Sequence, residues 1–388
     1  MLRVALFTDT FAPDVNGAAL TLARWTEYLR EHRVPCIVFA PEGDRAQPAG
    51  PDVERFRSIP FFLYKECQLA IPNAKQINNR LSSFSPTLIH VATPFNLGLF
   101  GASYATKHHI PLVASYHTHF DKYLDYYRLR WLEPALWKYI LWFHRNCERV
   151  YVPSQSTFSE LKNKGFRNLE IWSRGIDANL FSPAGQREQL WSKWNIRPRK
   201  HIILYVGRLA PEKGIDILLE SFRRLPERLR SETVLVVAGD GPLSRSLDAA
   251  AHGLPADAVQ RLGFVTGKDL AEWYGAADLF LFPSATETFG NVVLEAMASG
   301  TAVIGAGEGG VKDLISHGNN GWLCPAHDAA AFAEAAALLL DNGALRRRLA
   351  DAGRESSRAH SWDSIFRRLL ASYRSAAASP KMKPAARM

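Results

Sequence analysis

Apolar strand-like runs alternate with helical patterns along the whole chain, and this alternation restricts the possible folds more than any other feature. A chain of this kind builds parallel sheets, because each helix carries it back to the edge where the next strand begins. The sequence therefore predicts an α/β protein with two doubly wound, Rossmann-like halves. Strands are predicted at 2–8, 35–40, 87–92, 111–116, 149–153, 169–172, 201–206, 233–238, 259–265, 278–283 and 301–305.

The chain has 388 residues, which is too long for one ordinary hydrophobic core and predicts two domains. A composition shift near 182–187 marks a linker, so we expect an N-terminal domain at 1–180 and a C-terminal domain at 181–360. A last helical pattern follows at 361–376. Residues 377–388 are predicted to form a mobile basic tail.

The chain is basic, with a net charge of +9 and an isoelectric point near 9.4. This balance favours anionic partners: phosphates, nucleic acid or an acidic membrane surface. Nucleic acid is the weaker interpretation, because no known binding module accompanies the charge. Four scattered cysteines without a C-x-x-C pair argue against a disulfide framework or a zinc site, and no apolar run reaches the roughly 18–20 residues that span a bilayer. We therefore expect a cytoplasmic protein, and no residue is assigned as a metal ligand.

Two carboxylates stand eight residues apart where a predicted strand, loop and helix follow one another. Glu287 lies in the loop after the strand 278–283, and Glu295 lies on the second turn of a short helix bracketed by Asn291 and Gly300. A strand, a polar loop and a helix N-terminus bind anions and hydroxyls at the carboxyl end of a parallel sheet. A capped core helix with two surface glutamates is the alternative, and the spacing alone favours neither.

Two cations lie in a second loop, between the apolar strand 201–206 and a helical pattern at 215–222. Arg208 and Lys213 stand inside a turn that has a glycine at each end. Two cations beside a helix start suit a diphosphate group. A solvated basic loop is the alternative for this segment taken by itself.

The motif Gly-Arg-Leu-x-x-Glu-Lys-Gly at 207–214, followed by Glu287 and Glu295, resembles that of the retaining GT-B glycosyltransferases of the family 4, or group 1, type. The resemblance extends over 7–362. It implies two Rossmann-like domains that face a central cleft, with the helix at 361–376 crossing back onto the first domain.

Three further segments, 8–17, 115–119 and 173–177, are most similar to the branch of this family that glycosylates lipids with mannose, glucose or sulfoquinovose. The resemblance implies transfer of a hexose from a GDP- or UDP-sugar to a hydroxyl of a glycerolipid or another membrane lipid. A soluble small-molecule or oligosaccharide acceptor is the alternative. The implied partners are the nucleotide sugar, the acceptor and an anionic membrane surface on its inner face, and no tightly bound cofactor or nucleic acid is expected.

The resemblance also assigns roles to single residues. The implied catalytic residues are His117, Arg208, Lys213 and Glu287. The implied donor-binding residues are Gly17, Gly263, Phe264, Val265, Phe289, Gly290, Asn291, Glu295, Gly309 and Gly310. The implied acceptor-binding residues are Asp9, Asn16, His119 and Tyr123. Purely structural roles remain as alternatives for several of these residues: an ordinary helix start at Gly17, a buried strand end at 261–265, packing for His119 and a loop cap for Asp9.

Residues 305–310 fit the dinucleotide motif G-x-G-x-x-G, but they lie in the last third of the chain and lack a convincing acid about 20 residues later. We interpret Gly309 and Gly310 as part of a loop near the sugar. The segment 120–143 holds nine aromatic residues together with Lys122, Arg128, Arg130 and Lys138. This mixture suits a lipid headgroup interface, and a pair of core helices would have the same composition.

Two other functions compete with transfer. One is an epimerase or hydrolase of the same fold that acts on the nucleotide sugar, and the other is a non-catalytic nucleotide-sugar-binding protein. The first such class lacks the pairing of Arg208 and Lys213 with Glu287 and Glu295. Intact His117, Arg208, Lys213 and Glu287 argue against the second.

Overall fold

A computed structural model describes the chain except for residues 15, 43–51, 62–63, 120, 122–123, 125–128, 184–185, 252–253, 256 and 379–388. The chain divides into two compact units. The first is Met1–Ser173 together with the chain from Asp363 onwards, and the second is Arg174–Trp362.

The first unit is built on a parallel sheet with the strand order β3-β2-β1-β6-β7-β8-β9, next to an antiparallel hairpin of β4 and β5. The strands are β1 (Val4–Phe7), β2 (Cys36–Pro41), β3 (Val53–Phe56), β4 (Ser58–Phe61), β5 (Tyr64–Ala70), β6 (Leu88–Val91), β7 (Leu112–Ser115), β8 (Arg149–Val152) and β9 (Leu169–Ile171). The helices are Gly17–Glu31, Ala74–Phe84, Asn96–His108, Glu133–His144, Gln155–Asn163 and Trp362–Ala378.

The second unit is built on a parallel sheet with the strand order β12-β11-β10-β13-β14-β15. Its strands are β10 (His201–Val206), β11 (Thr233–Ala238), β12 (Val259–Gly263), β13 (Leu279–Phe282), β14 (Ala302–Ala306) and β15 (Trp322–Cys324). Its helices are Arg187–Lys193, Ile215–Arg223, Glu227–Glu232, Ser244–Ala251, Gly267–Ala276, Asn291–Ala298, Val311–Leu314, Ala329–Asp341 and Gly343–Ser357.

The predicted fold class is confirmed, because both sheets are parallel and the chain alternates between strands and helices. Every predicted strand overlaps an observed one, but β3, β4, β5 and β15 were not predicted. These strands are short or carry polar residues, so their apolar pattern is too weak to distinguish them from loops.

Each sheet has one point where the strand order reverses direction. In the first unit the chain builds outward from β1 through β2 and β3, and then returns to β6 on the other side of β1. In the second unit it builds outward from β10 through β11 and β12, and then returns to β13. The helices leave in opposite directions at such a point, so a crevice opens at the carboxyl ends of the two central strands.

The last helix belongs to the core of the first unit. Tyr373 and Phe366 pack their rings on Trp25, with centroids 5.2 Å and 5.3 Å away. Trp25, Leu22 and Leu29 are buried and form the apolar face that the spacing of the helix Gly17–Glu31 predicts. Among the described residues no helix has the combination of length and apolar character that crossing a membrane requires.

Candidate functional site

The loops that follow β10 and β13 occupy the reversal point of the second unit. The loop after β10 is tied to the loop after β11: Gly207 N donates to Ala238 O at 3.0 Å, and Leu209 N donates to Asp240 O at 2.9 Å. Gly239 has a φ of +149°, and a Cβ there would lie 1.9 Å from Gly207 O. Glycine is therefore required at position 239, because only a residue without a side chain allows the two backbones to approach so closely.

Lys213 and Glu287 form an ion pair between the two loops, with Nζ 2.5 Å from Oε1. Ser284, which is buried at the end of β13, donates its hydroxyl to the same Oε1 at 3.0 Å. The side chains of Lys213 and Glu287 are 16% and 18% exposed. A charge pair so shielded from water is oriented by its partners, so both groups are held in place before any ligand binds.

Arg208 is held in the same way by Glu212, whose Oε1 accepts a hydrogen bond from Nη2. Glu212 is buried, and its backbone carbonyl accepts the Thr286 hydroxyl at 3.2 Å, which joins this turn to the loop after β13. Glu212 is part of the motif at 207–214, but the sequence assigns it no role. Its position four residues after Arg208 does not reveal this role, because the backbone between them is not helical: Ala210 is extended, with φ −136° and ψ 157°.

The helix Asn291–Ala298 begins directly after these charges. Gly290 precedes it with a φ of +99°, in the left-handed region that favours glycine. Phe289 is buried against the core, whereas the Oδ1 atom of Asn291 is buried and accepts no hydrogen bond from the residues that the structure describes. A buried acceptor of this kind has a strong tendency to take up a donor such as a hydroxyl group.

Gly309 and Gly310 bring the loop after β14 into contact with the loop of Glu287. Gly310 N donates to Glu287 O at 2.7 Å, and a Cβ on Gly310 would lie 2.4 Å from Phe289 Cα. A Cβ on Gly309 would lie 2.5 Å from Glu287 O. The two glycines therefore allow backbone-to-backbone packing against the loop of Glu287, and the predicted place near a sugar stays a prediction.

Glu295 lies on the helix Asn291–Ala298 and accepts the Tyr274 hydroxyl at 3.0 Å through Oε2. Burial, with the nearby Glu295 carboxylate, raises the pKa of Tyr274 well above its usual range, so the phenol remains a donor. Glu295 itself is partly exposed. Its carboxylate is thus oriented by one buried donor while part of the side chain faces solvent.

The segment predicted to meet the nucleotide base follows β12. Gly263 has a φ of +72° and its carbonyl accepts Gly239 N at 2.7 Å. Phe264 is 65% exposed and Val265 is partly exposed. A plain buried strand end does not describe this segment, because its largest apolar side chain faces solvent.

In the first unit, Asp9 lies at the reversal point, just beyond β1. It is fully buried and accepts the Thr93 hydroxyl at 2.7 Å and the Ala70 N–H at 3.4 Å. Thr93 follows β6, so this bond ties the two central strand ends together. Burial raises the pKa of Asp9 from 3.8 to about 6, although the hydrogen bonds oppose that shift.

Asn16 caps the helix Gly17–Glu31. Its Oδ1 accepts the Ala19 N–H at 2.9 Å, and its Nδ2 donates to the Thr10 hydroxyl at 2.7 Å. Gly17 is the first helical residue and is exposed. The structure therefore combines an ordinary capped helix start with an open approach to its first turn, so it is compatible with both interpretations of Gly17.

His117 and His119 follow β7 and contact different groups. His117 Nε2 lies 2.8 Å from Ser115 Oγ, and its ring meets Trp172 edge to face at 5.6 Å between centroids. His119 is buried, with Nε2 3.3 Å from Thr157 Oγ1. Tyr123, the remaining predicted acceptor residue, lies outside the described residues.

Among the described residues one group of histidine and carboxylate side chains offers atoms close enough together to hold a metal ion: His119, Asp121 and Glu160. His119 Nδ1 is 3.8 Å from a carboxylate oxygen of each acid. The same separations describe weak ion pairing, so this group by itself does not indicate a metal.

The predicted residues thus fall into two groups. In the second unit, Arg208, Lys213, Glu287, Gly309 and Gly310 lie on loops that contact one another, and the helix of Glu295 starts from them. In the first unit, Asp9, Asn16 and Gly17 surround the end of β1, while the two histidines follow β7. The second unit therefore holds a preformed set of two cations and two oriented glutamates, which suits an anion that also carries hydroxyl groups.

Comparison with known proteins agrees with this geometry. The family model of glycosyl transferases group 1 matches residues 186–356, and that of glycosyltransferase family 4 matches residues 15–180. A GDP-mannose-dependent alpha-mannosyltransferase of Corynebacterium glutamicum is 31% identical, over 96% of this chain and 88% of its own length.

The alpha-monoglucosyldiacylglycerol synthase of Streptococcus pneumoniae is also 31% identical, over 81% of this chain and 73% of its own length. The sucrose-phosphate synthase of Thermosynechococcus elongatus has the same fold, with a TM-score of 0.82 at 23% identity, and the match covers 98% of this chain and 100% of that chain.

Proposed function

Because the chain belongs to the group 1 and family 4 glycosyltransferases, we propose that it transfers a hexose from a nucleotide diphosphate sugar to a hydroxyl group of a membrane glycerolipid, with retention at the anomeric carbon. The observation that carries this proposal is the pair of cations at the reversal point of the second unit. Arg208 and Lys213 are each held by a carboxylate on neighbouring loops.

The leaving group determines what these cations do. When the bond from sugar to phosphate breaks, negative charge grows on the distal phosphate. Cations that are already in place stabilise that charge more than they stabilise the intact donor, which lowers the barrier. Glu212 and Glu287 keep Arg208 and Lys213 in position, so the site does not have to reorganise during the reaction.

Glu287, Asn291 and Glu295 provide the acceptor atoms that a sugar needs. In our proposal Glu287 lies beside the transferred ring, and Glu295 accepts hydrogen bonds from the ribose hydroxyls. The Oδ1 atom of Asn291, which accepts no hydrogen bond from the described residues, takes a sugar hydroxyl. The charge-assisted bonds to the Glu287 and Glu295 carboxylates would contribute about 1.5–3 kcal/mol each.

For the acceptor step we propose that the departing phosphate itself takes the proton of the acceptor hydroxyl, which then attacks from the same face. In this scheme the His117 side chain contacts the transferred sugar. Its imidazole hydrogen-bonds a sugar hydroxyl, and a neutral imidazole does so without opposing the positive charge that develops on the sugar ring.

A lipid acceptor is favoured by the surface around the helix Glu133–His144. Trp131 is 74% exposed and Trp142 is 49% exposed, whereas Trp137, on the other side of the helix, is buried. The guanidinium group of Arg145 lies over the Trp142 ring at 5.9 Å. Exposed tryptophans next to basic side chains suit the interface between lipid headgroups and acyl chains. One relative, 31% identical over 81% of this chain, is named alpha-monoglucosyldiacylglycerol synthase.

The proposal is tested by incubating the purified chain with labelled GDP-mannose or UDP-glucose and vesicles that contain diacylglycerol, phosphatidylinositol or monoglucosyldiacylglycerol. We expect a labelled lipid whose anomeric configuration, read by NMR, matches that of the donor. Label on a soluble sugar or inositol phosphate would replace the lipid acceptor by a soluble one. Free altered sugar would indicate an epimerase or hydrolase, and inversion would refute the retaining mechanism.

Membrane contact has its own test. Trp131→Ala together with Trp142→Ala should weaken sedimentation with vesicles that contain phosphatidylglycerol, and nucleotide affinity should remain unchanged. The matched control is Trp322→Ala, because Trp322 is a partly exposed tryptophan of the second unit. Equal vesicle binding of the wild type and the double variant would refute the contact.

A further inference from the structure

A chain of hydrogen bonds through the core of the first unit ends at His117. Trp25 Nε1 lies 3.2 Å from the Tyr373 hydroxyl, and that hydroxyl lies 2.6 Å from His90 Nδ1. His90 Nε2 is then 2.9 Å from Ser115 Oγ, which is 2.8 Å from His117 Nε2. The first four members of the chain are at most 3% exposed, so water does not compete for these bonds.

These hydrogen bonds all run from donor to acceptor in one direction, and Trp25 sets that direction. An indole N–H can only donate, so Trp25 must donate to the Tyr373 oxygen. The single hydroxyl hydrogen of Tyr373 must then go to His90 Nδ1. If the direction were reversed, that hydrogen would be left without an acceptor among the described residues of the core, and an unsatisfied buried donor is destabilising.

His90 carries the direction onward because it stays neutral. Burial lowers its pKa from 6.5 to about 3. A neutral imidazole that accepts at Nδ1 has its hydrogen on Nε2, so His90 donates to Ser115 Oγ. The hydroxyl hydrogen of Ser115 is then directed to His117 Nε2.

We propose that Trp25, Tyr373, His90 and Ser115 are positioning residues that hold His117 as the neutral tautomer with its hydrogen on Nδ1. The inference rests on the proposed function for its purpose, because this tautomer lets His117 donate a hydrogen bond from Nδ1 to the sugar. The same hydrogen bonds also oppose protonation of His117 at its second ring nitrogen. With hydrogens on both ring nitrogens, His117 would point an N–H at an oxygen that already accepts from His90, and the hydrogen of Ser115 would lose its acceptor.

The test reads the tautomer directly by ¹⁵N NMR of the full chain labelled at histidine, without substrate. His117→Gln serves only to assign the signals. In the wild type we expect His117 to show a hydrogen-bearing Nδ1 and an unprotonated Nε2. Tyr373→Phe removes the donor to His90, so the ratio of the two His117 tautomers should shift by roughly 2- to 12-fold, the equivalent of one ordinary net hydrogen bond of about 0.5–1.5 kcal/mol.

Tyr151→Phe is the matched control. Tyr151 is as buried as Tyr373 and lies 5.8 Å from it between ring centroids, but its hydroxyl bonds to Ser372 and is not part of the chain. It should leave the His117 tautomer unchanged. If Tyr373→Phe does not fold, Ser115→Ala serves instead. It removes the hydroxyl that bonds to His117 and should produce the same shift.

Activity provides a second measurement. Tyr373→Phe should lower the maximal rate of transfer about 3- to 10-fold, as loss of one oriented hydrogen bond would, and nucleotide affinity should not change. A wild-type His117 with its hydrogen on Nε2, or equal tautomer ratios in the wild type and Tyr373→Phe, would overturn the inference. A wild type with the expected tautomer but without any transfer activity would refute the proposed function alone.

Discussion

Replacement of Lys213 by methionine separates a phosphate-binding lysine from a merely structural one. In the proposed reaction Lys213 stabilises the charge that develops on the distal phosphate of the donor. Loss of one such preorganised donor costs about 2.7–4 kcal/mol in the transition state, so turnover should fall roughly 10²- to 10³-fold. Methionine retains a long side chain of similar reach but carries no charge.

The same substitution should also lower the free energy of unfolding, and the exposure of the ion pair sets limits on the size of that loss. Lys213 and Glu287 are 16% and 18% exposed, and after the substitution Oε1 of the carboxylate still accepts the Ser284 hydroxyl but no longer faces a cation at 2.5 Å. Breaking a fully buried pair costs about 3–5 kcal/mol, whereas a fully exposed pair contributes about 0.2–1 kcal/mol. We therefore expect a loss of about 1–2 kcal/mol in the free energy of unfolding. Lys213→Met combined with Glu287→Gln removes both charges and should recover most of that loss.

The decisive assay compares nucleotides that differ only in the distal phosphate. Calorimetric titration should show that Lys213→Met weakens binding of GDP or UDP by one to two decades, while GMP or UMP binds nearly as to the wild type. Lys193→Ala is the matched control, because Lys193 pairs with Asp269 at 2.6 Å on the exposed surface of the same unit. Equal loss of mono- and diphosphate affinity, or turnover within threefold of the wild type, would refute the phosphate role.

Three further predictions concern the ribose, the glycine loop and pH. Glu295→Gln should weaken nucleotide binding by one to two decades with little change in unfolding, because an amide accepts weaker hydrogen bonds than a carboxylate; a loss of stability without a loss of affinity would make Glu295 a structural residue. Gly310→Ala should abolish donor binding and lower the thermal midpoint, since its Cβ would lie 2.4 Å from Phe289 Cα, whereas Gly343→Ala, whose Cβ meets nothing nearer than 3.9 Å, should leave both unchanged. Acidification should destabilise the protein, because burial lowers the pKa of His90 to about 3. Below about pH 6.5 the unfolded state binds a proton at His90 that the folded state does not bind. Stability that is present at neutral pH is therefore lost as the pH falls towards 3. A urea midpoint that is no lower at pH 5 than at pH 7 would contradict this expectation. The raised pKa of Asp9 acts in the opposite direction, with a smaller effect.

Local patterns in the sequence were sufficient for much of the fold. Runs of apolar residues with helical segments between them predicted parallel sheets, and each predicted strand overlaps an observed one. The turn at 207–214 and the loop of Glu287 were also recognisable, because glycines, cations and carboxylates lie a few residues apart in a motif. The short β3 and β15 were not predictable in this way, since three or four residues carry too little pattern.

Which partner each charged or polar side chain has depends on the tertiary structure. The sequence indicates that Lys213 and Glu287 are both present, but only the reversal of strand order between β10 and β13 brings them within 2.5 Å of each other. Glu212 became recognisable as the partner of Arg208 only when the turn was seen.

The hydrogen-bond chain to His117 shows the same limit most clearly. Tyr373 is 348 residues from Trp25 and 283 from His90 along the chain, and they meet only because the last helix packs into the core of the first unit. Periodicity reports which face of an element is buried, since that depends on neighbours a few residues away. Hydrogen-bond partners depend on how whole elements pack, and the sequence alone therefore determined the elements and the motif, while the tertiary structure decided which side chains orient one another.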